Sequence, residues 1–282
     1  LKIFSERYGI DTVYEDASAM LLKEKPDIVA VATNTKDRAA LTCLAVECGA
    51  KGILTEKPMV HTLEEADRMV KVCSDAGVPL NCGSIPTTDP AFLKAKELVG
   101  EGHIGEVVSM ESSGPSAQDQ NWTYFLDSAP LWVVGVGDDP RRESGSDEFK
   151  GQGMLVSEAG PVVHFRAGAP RLRVTGTEGE ITFVYPHGFR LWQTHTVRGS
   201  SGAVEMPWPA PQFLPPFGGV YSLNDVLDCL AGRLDEPKNS GRRVAIALEV
   251  EIALKQSSAQ EGKRIDFPLT ERSLGLNYDW FR

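Results

Sequence analysis

The sequence has 282 residues, 41% hydrophobic and 24% charged, with a formal net charge of −10 and a pI near 5.1. Its length predicts two domains, its composition is that of a soluble globular protein, and no apolar run approaches the ~18–20 residues needed to cross a bilayer. Duplex nucleic acid calls for a basic stripe; here only Arg141-Arg142 and Arg242-Arg243 cluster, so neither nucleic acid nor membrane is an expected partner.

The chain begins with Leu1, and its first residues read as part of a helix. It is therefore expected to be a piece or a processed product, with any upstream signal out of view. Thr12-Val13-Tyr14 is a short strand candidate. Asp16 to Glu24 reads as a helix with Asp16 as N-cap. Asp27 to Thr33 is a continuous apolar run behind Pro26, as in a strand buried on both faces. Lys36 to Cys48 is helical and stops at Gly49. Gly52 to Thr55 is the next strand. Thr62 starts a helix, with Glu65 as its capping-box partner; that helix ends at Gly77, and Val78 to Cys82 is a further strand. Such βαβα alternation predicts a parallel, doubly wound sheet.

The pattern changes after Gly105. Glu106–Ser112, Leu131–Val136, Gly153–Glu158, Pro161–Arg166, Arg171–Thr175 and Glu180–Tyr185 are strand candidates joined by turn-rich links. Helices are expected only at Ser222–Arg233 and from about Arg242 to Ser258, with a Pro-rich irregular loop at Met206–Phe217. The expected fold is α/β: an incomplete Rossmann domain over residues 1–103, lacking a Gly-rich first βαβ unit, then an α+β domain over 104–282. The second domain has a mainly antiparallel, open-faced sheet with helices on one face.

Chemistry concentrates at Thr55-Glu56-Lys57-Pro58. A lysine at the carboxyl end of a parallel strand stands where open α/β sheets place ligands, which makes Lys57 a candidate acid, base or substrate clamp. The five cysteines (Cys43, Cys48, Cys73, Cys82, Cys229) contain no Cys-x-x-Cys pair, and the five histidines (His61, His103, His164, His187, His195) lack ligand spacing, so no metal site is expected. Scattered free thiols fit a reducing cytoplasm. His164 alternates with apolar neighbours and reads either as a half-buried sheet histidine or as a replacement acid/base. His103 reads as a surface-turn residue and His61 as flanking a helix start.

Four pieces occur together in order: the strand ending Ala32-Thr33, the run Cys48 to Pro58, Gly102-His103-Ile104-Gly105-Glu106-Val107, and Gly176-Thr177-Glu178-Gly179. In these the chain resembles the glucose–fructose oxidoreductase / inositol dehydrogenase / rhizopine-catabolism family of NAD(P)-dependent oxidoreductases. The resemblance implies a Rossmann domain and an open-faced sheet that serves as a homo-oligomer interface. It implies hydride transfer between NAD or NADP and a secondary alcohol or ketone of a sugar, cyclitol or similar small polar molecule. Carried over, Lys57 is the catalytic residue, contacting nicotinamide ribose and substrate oxygen. Thr33, Asn34, Thr35 and Glu56 fall beside the cofactor, the peptide before Pro58 is cis, and Trp122, Tyr124 and His164 are the substrate-side candidates. Asp127 is a candidate surviving carboxylate.

The chain departs from that pattern in three places. It holds no Gly-x-Gly-x-x-Gly turn and no acidic or basic selector after it, so the sequence does not choose between NAD and NADP. The usual Thr-Pro-x-x-x-His reads Thr33-Asn34-Thr35-Lys36-Asp37-Arg38, and Ser84-Ile85-Pro86-Thr87 lacks the common arginine. No histidine has an aspartate four residues before it, where the family carries an Asp-x-x-x-His pair. Two other readings therefore stand beside the enzyme: an inactive binding or assembly protein, and a fragment without function of its own.

Overall fold

A computed structural model describes residues 2–83, 90–116, 121–138, 147–168, 170–183, 188–208 and 218–277. Within the first 103 residues a short helix α1 (Lys2–Tyr8) is followed by α2 (Ala17–Glu24), β1 (Ile28–Val31), α3 (Thr35–Glu47), β2 (Gly52–Thr55), α4 (Leu63–Asp75), β3 (Leu80–Cys82) and α5 (Pro90–Gly100). The three strands form one parallel sheet in the order β1-β2-β3. Local chemistry sets several element ends. Asp16 accepts from Ala19 N at 2.7 Å, and Thr62 and Glu65 complete both halves of a capping box. Gly49 and Gly77 take the left-handed conformation just past α3 and α4.

Beyond residue 103 follow β4 (Val107–Ser112), α6 (Asn121–Leu126), β5 (Pro130–Val136), β6 (Gln152–Ser157), β7 (Val162–Phe165), β8 (Leu172–Gly176), β9 (Gly179–Phe183), β10 (Phe189–Val197), β11 (Ser200–Met206), α7 (Gly218–Leu230), α8 (Gly241–Ala259) and β12 (Ile265–Asp266). The strands make one nine-stranded sheet, ordered β11-β10-β9-β8-β4-β7-β6-β5-β12. All its pairings are antiparallel except β4 with β7. Alternation buries Met110, Val163, Phe165, Leu172, Val174, Ile181 and Leu191 on one face. Helices α5, α6 and α8 contact this sheet. Helix α7 lies on β2 and β3, and α8 touches both sheets, so the two C-terminal helices join the two regions. Among the described residues no helix is long and apolar enough to cross a membrane.

Four differences from the sequence reading stand out. Thr12-Val13-Tyr14 is not a strand. It lies across an open groove of about 340 Å³ from Ile28, Val29 and Ala30, too far removed to ladder with β1, so β1 is the edge of its sheet. Helix α5, whose Pro90 suits a first helical position, was not anticipated, nor was the β10–β11 hairpin. Short α6 was not anticipated either; β9 is described as far as Phe183, and residues 184–187, which include Tyr185 and His187, lie outside the described residues. So do Arg141-Arg142, the Ser84–Thr87 segment and residues 209–217 of the Pro-rich loop.

The turn that opens the second region is clasped to the turn between β8 and β9. Glu106 N donates to Thr177 Oγ1 (3.1 Å), Thr177 N to Glu106 O (2.9 Å) and Glu178 N to Ile104 O (2.9 Å). Gly105 has φ +69°, and a Cβ there would fall 2.2 Å from Thr177 Oγ1; Gly102 has φ +82° but open space around it. Gly102→Ala should carry only the left-handed penalty of about 1 kcal/mol, whereas Gly105→Ala adds the clash and should lose roughly 2–3 kcal/mol. Urea midpoints of the two variants check this; equal losses would show that the clasp yields freely.

Candidate active site

The carboxyl ends of β1, β2 and β3 define one edge. Glu56 N continues the ladder to Val31 O (3.3 Å), and Gly83 N caps Thr55 O (2.7 Å). Lys57 follows immediately, its N–H turned to Glu56 Oε2 (3.1 Å), and the Lys57–Pro58 peptide is cis as expected. Gly83, at φ +69°, passes so close that a Cβ there would meet Lys57 Cβ and Cγ at 3.5 Å. The lysine is partly exposed while Thr55, Pro58, Met59 and Val60 around it are buried. A partly exposed side chain thus stands on a buried base. Beside it, at Glu56 and Gly83, opens a cleft of about 150 Å³ lined also by Val31, Thr55, Asn81 and Ser222. Asn81 Nδ2 (2.8 Å) and Ser222 Oγ (2.9 Å) both donate to Gly83 O and fix this floor.

The loop after β1 borders the same edge. Thr33 and Asn34 are exposed, and Asn34, though it is the N-cap residue of α3, makes no side-chain capping bond. Thr35 points the other way. It is 2% exposed and its hydroxyl accepts from Arg38 Nη1 at 3.2 Å. Its expected place beside a cofactor is therefore corrected: the hydroxyl is spent inside the protein. Arg38 was not among the residues singled out, although it is the one charge on the buried side of α3, an available signal.

The second-region candidates are dispersed. Trp122 is wholly buried, edge-on to Phe165 at 5.3 Å, with Nε1 donating to Pro115 O at 3.4 Å; it is core, and lines no open pocket. His164 projects from β7 on the face opposite buried Val163 and Phe165, level with Glu111 of β4. It stands on the open face of the sheet, turned from the helix-covered side. Tyr124 is half-buried with the Arg243 guanidinium 5.4 Å and Lys96 Nζ 5.3 Å from its ring centre, and burial pushes its hydroxyl pKa up. Asp127 accepts from Arg243 Nη2 (3.0 Å) and Arg242 Nη2 (3.3 Å). Burial would raise its pKa, but these guanidiniums and Lys96 hold the carboxyl below its ordinary range. Asp127 is a salt-bridged anion, not a proton donor at neutral pH. Arg243 also donates to the carbonyls of Pro237 and Lys238, and the next residue, Asn239, accepts from Cys82 N at the end of β3 (2.8 Å). That chain of bonds runs from α6 to the strand-end cleft.

His61 sits at the start of α4, its Nδ1 3.0 Å from Leu276 O. His103 lies in the clasp turn, 3.2 Å from Glu101. Among the described residues no group of three or more His, Cys, Asp or Glu could hold a metal ion. For a dinucleotide, the polar groups this edge exposes are those of the Thr33–Asn34 loop and of Glu56 beside the cleft. The described residues offer no glycine-rich turn for a pyrophosphate.

Residues 1–84 match the family model described as "Oxidoreductase family, NAD-binding Rossmann fold". The chain is 35% identical over 105 residues to D-apiose dehydrogenase of Paraburkholderia graminis, covering 37% of this chain and 28% of that protein. It is 27% identical over 187 residues to myo-inositol 2-dehydrogenase of Thermotoga maritima, covering 60% and 55%. The chain thus matches between about a quarter and a half of the length of these two relatives. Among solved structures, levoglucosan dehydrogenase in complex with NADH and levoglucosan superposes with a TM-score of 0.72 at 18% identity, over 95% of this chain and 88% of that one; at that identity the likeness is one of fold.

The thiol nearest the cleft is shielded. Cys82 Sγ lies 3.7 Å from Glu56 O, and burial pushes its pKa up to about 12, as it does for Cys73. Iodoacetamide at pH 8 should therefore modify half-buried Cys48 while Cys82 and Cys73 react at least about a hundredfold more slowly. Peptide mass spectrometry reads this, and prompt labelling of Cys82 would place a reactive nucleophile in the cleft.

Proposed function

We propose that this chain, whose residues 1–84 match the NAD-binding Rossmann model of an oxidoreductase family, belongs to the glucose–fructose oxidoreductase / inositol dehydrogenase / rhizopine-catabolism family and serves an NAD(P)-dependent oxidoreductase acting on a secondary alcohol or ketone of a sugar, a cyclitol or a related polar molecule. The observation that carries this reading is the placement of Lys57: partly exposed, on a buried base, next to Glu56 and close to Gly83, both of which line the cleft at the carboxyl ends of three parallel strands. D-apiose, myo-inositol and levoglucosan, named for the relatives and the structural neighbour, are polyhydroxylated molecules whose hydroxyl oxygens suit an ammonium donor.

When bound, the nicotinamide supplies or takes up the hydride. This chain's part is to orient and to move a proton. Exposed Thr33 and Asn34, with Glu56, would hold the nicotinamide end. Lys57 Nζ hydrogen-bonds the substrate oxygen. In oxidation the amine takes the hydroxyl proton; in reduction the ammonium polarises the carbonyl and returns it. Asp127, already paired with two arginines, takes no part in that transfer.

Two wider elements belong to the same reading. The division at residues 103/104 separates a nucleotide-binding part from a substrate and assembly part. The open face of the nine-stranded sheet is the surface for a second copy: it carries Trp132 stacked under Arg264 (4.9 Å) and the Glu111, Arg166, Arg173 and Glu180 ion pairs. Five free cysteines suit a cytoplasmic setting.

The test is titration of NADH and NADPH by nucleotide fluorescence, followed by turnover on a sugar and cyclitol panel. Lys57→Met should lower kcat/KM by about 10²–10⁴-fold with an unchanged melting temperature. Turnover unaffected by that change would remove Lys57 from the mechanism. Absence of nucleotide binding and turnover in the unsubstituted chain would favour a binding or assembly role.

A further inference from the structure

Helix α3 carries a cation on its packed side. Arg38 is 1% exposed, among buried Thr35, Ala39, Thr42 and Cys43. Its Nη2 donates to Thr33 O at 2.7 Å, and its Nη1 to Thr35 Oγ1 at 3.2 Å and to Pro58 O. Thr33 lies on the loop after β1, and Pro58 is the residue after Lys57. One side chain therefore joins the two loops that carry Thr33, Asn34, Glu56 and Lys57. Burial lowers its pKa, opposed by Cys82 and Glu56 at the ends of β3 and β2, yet a guanidinium stays protonated in proteins.

A buried charge is costly unless its hydrogen bonds are well made. An apolar side chain would fill the same space without that cost, but it would leave the carbonyls of Thr33 and Pro58 without this donor. A lysine would be a point charge on a flexible stem, whereas the guanidinium is a rigid fork that serves acceptors in different directions. We propose that Arg38 is a positioning residue: by holding the carbonyls of Thr33 and Pro58 it fixes the spacing between the β1 loop and Lys57. Its consequence for turnover rests on the oxidoreductase reading; the coupling of the two loops does not.

Amide hydrogen exchange followed through increasing urea tests the coupling. In the unsubstituted chain the amides of Thr33–Thr35 and those of Lys57, Met59 and Val60 should open together, with one dependence on urea. Arg38→Met should raise exchange at both loops by about ten- to a hundredfold, the loss of two or more hydrogen bonds to a charged donor. Arg38→Lys should recover only part of the protection. Met69→Ala, a core truncation in α4 (Met69 is 0% exposed), is the control: it lowers global stability and leaves the two loops closed under native conditions. Where turnover is found, Arg38→Met should lower kcat at least about tenfold more than it raises KM. Separate opening of the loops in the unsubstituted chain, or equal loop exchange in Arg38→Met and Met69→Ala, overturns the proposal. If Arg38→Met does not fold, the unsubstituted chain decides alone. Coupled loops without any turnover would uphold the positioning role and sink the oxidoreductase reading.

Discussion

Parallel strands end together, and the carbonyls at their ends pass out of the ladder into a part of the protein that is still partly buried. Each needs a donor. Val31 O takes Glu56 N, Thr55 O takes Gly83 N, Gly83 O takes Asn81 Nδ2 and Ser222 Oγ, and the carbonyls of Thr33 and Pro58 take Arg38. The donors come from a strand, two helices and a loop, so the edge is tied on every side. Lys57 is held at its base by this accounting, while its side chain is left partly exposed.

The opposite condition holds at β1. Its outer side pairs with no strand among the described residues, and a groove separates it from Thr12 and Tyr14. A sheet edge of this kind presents unpaired donors and acceptors. The site is accordingly one-sided: well built around Lys57 and the β2–β3 turn, and open on the flank where the sheet stops.

Much of this was legible in the residues. Continuous apolar runs, capping signals and glycine stops located β1, β2, β3, α3 and α4 within a few residues, because those elements obey local rules. Lys57 was legible for the same reason, as the residue after a buried strand. The misses have non-local causes. Thr12–Tyr14 has strand propensity, but a strand exists only with a partner to ladder. Trp122 and Thr35 are each of a type that can face a ligand; which way they turn was settled by Phe165 and by Arg38, residues distant in sequence or masked by helical spacing. His164 alternates correctly, but alternation does not say which face of the sheet the helices cover. The β10–β11 hairpin is mostly exposed and polar, so it lacked the apolar contrast that marks a strand.

Charge placement separates the sheet's two faces by function. The helix-covered face is mostly apolar, with buried Ser112 and Ser157 among its hydrophobic side chains, while Glu111, Arg173, Thr182 and Glu180 lie side by side on the other, linked at 3.3–3.6 Å. These groups are about one-third exposed, so each pair contributes little to stability. A face kept for stability alone would not need matched charges across adjacent strands. A face that meets a second protein surface gains from them, because complementary charges fix register and exclude wrong partners more than they add affinity. The open face thus carries matched charges across adjacent strands, while Lys57 stands on the strand-end edge of the other sheet, so the two surfaces differ in what they offer a partner molecule.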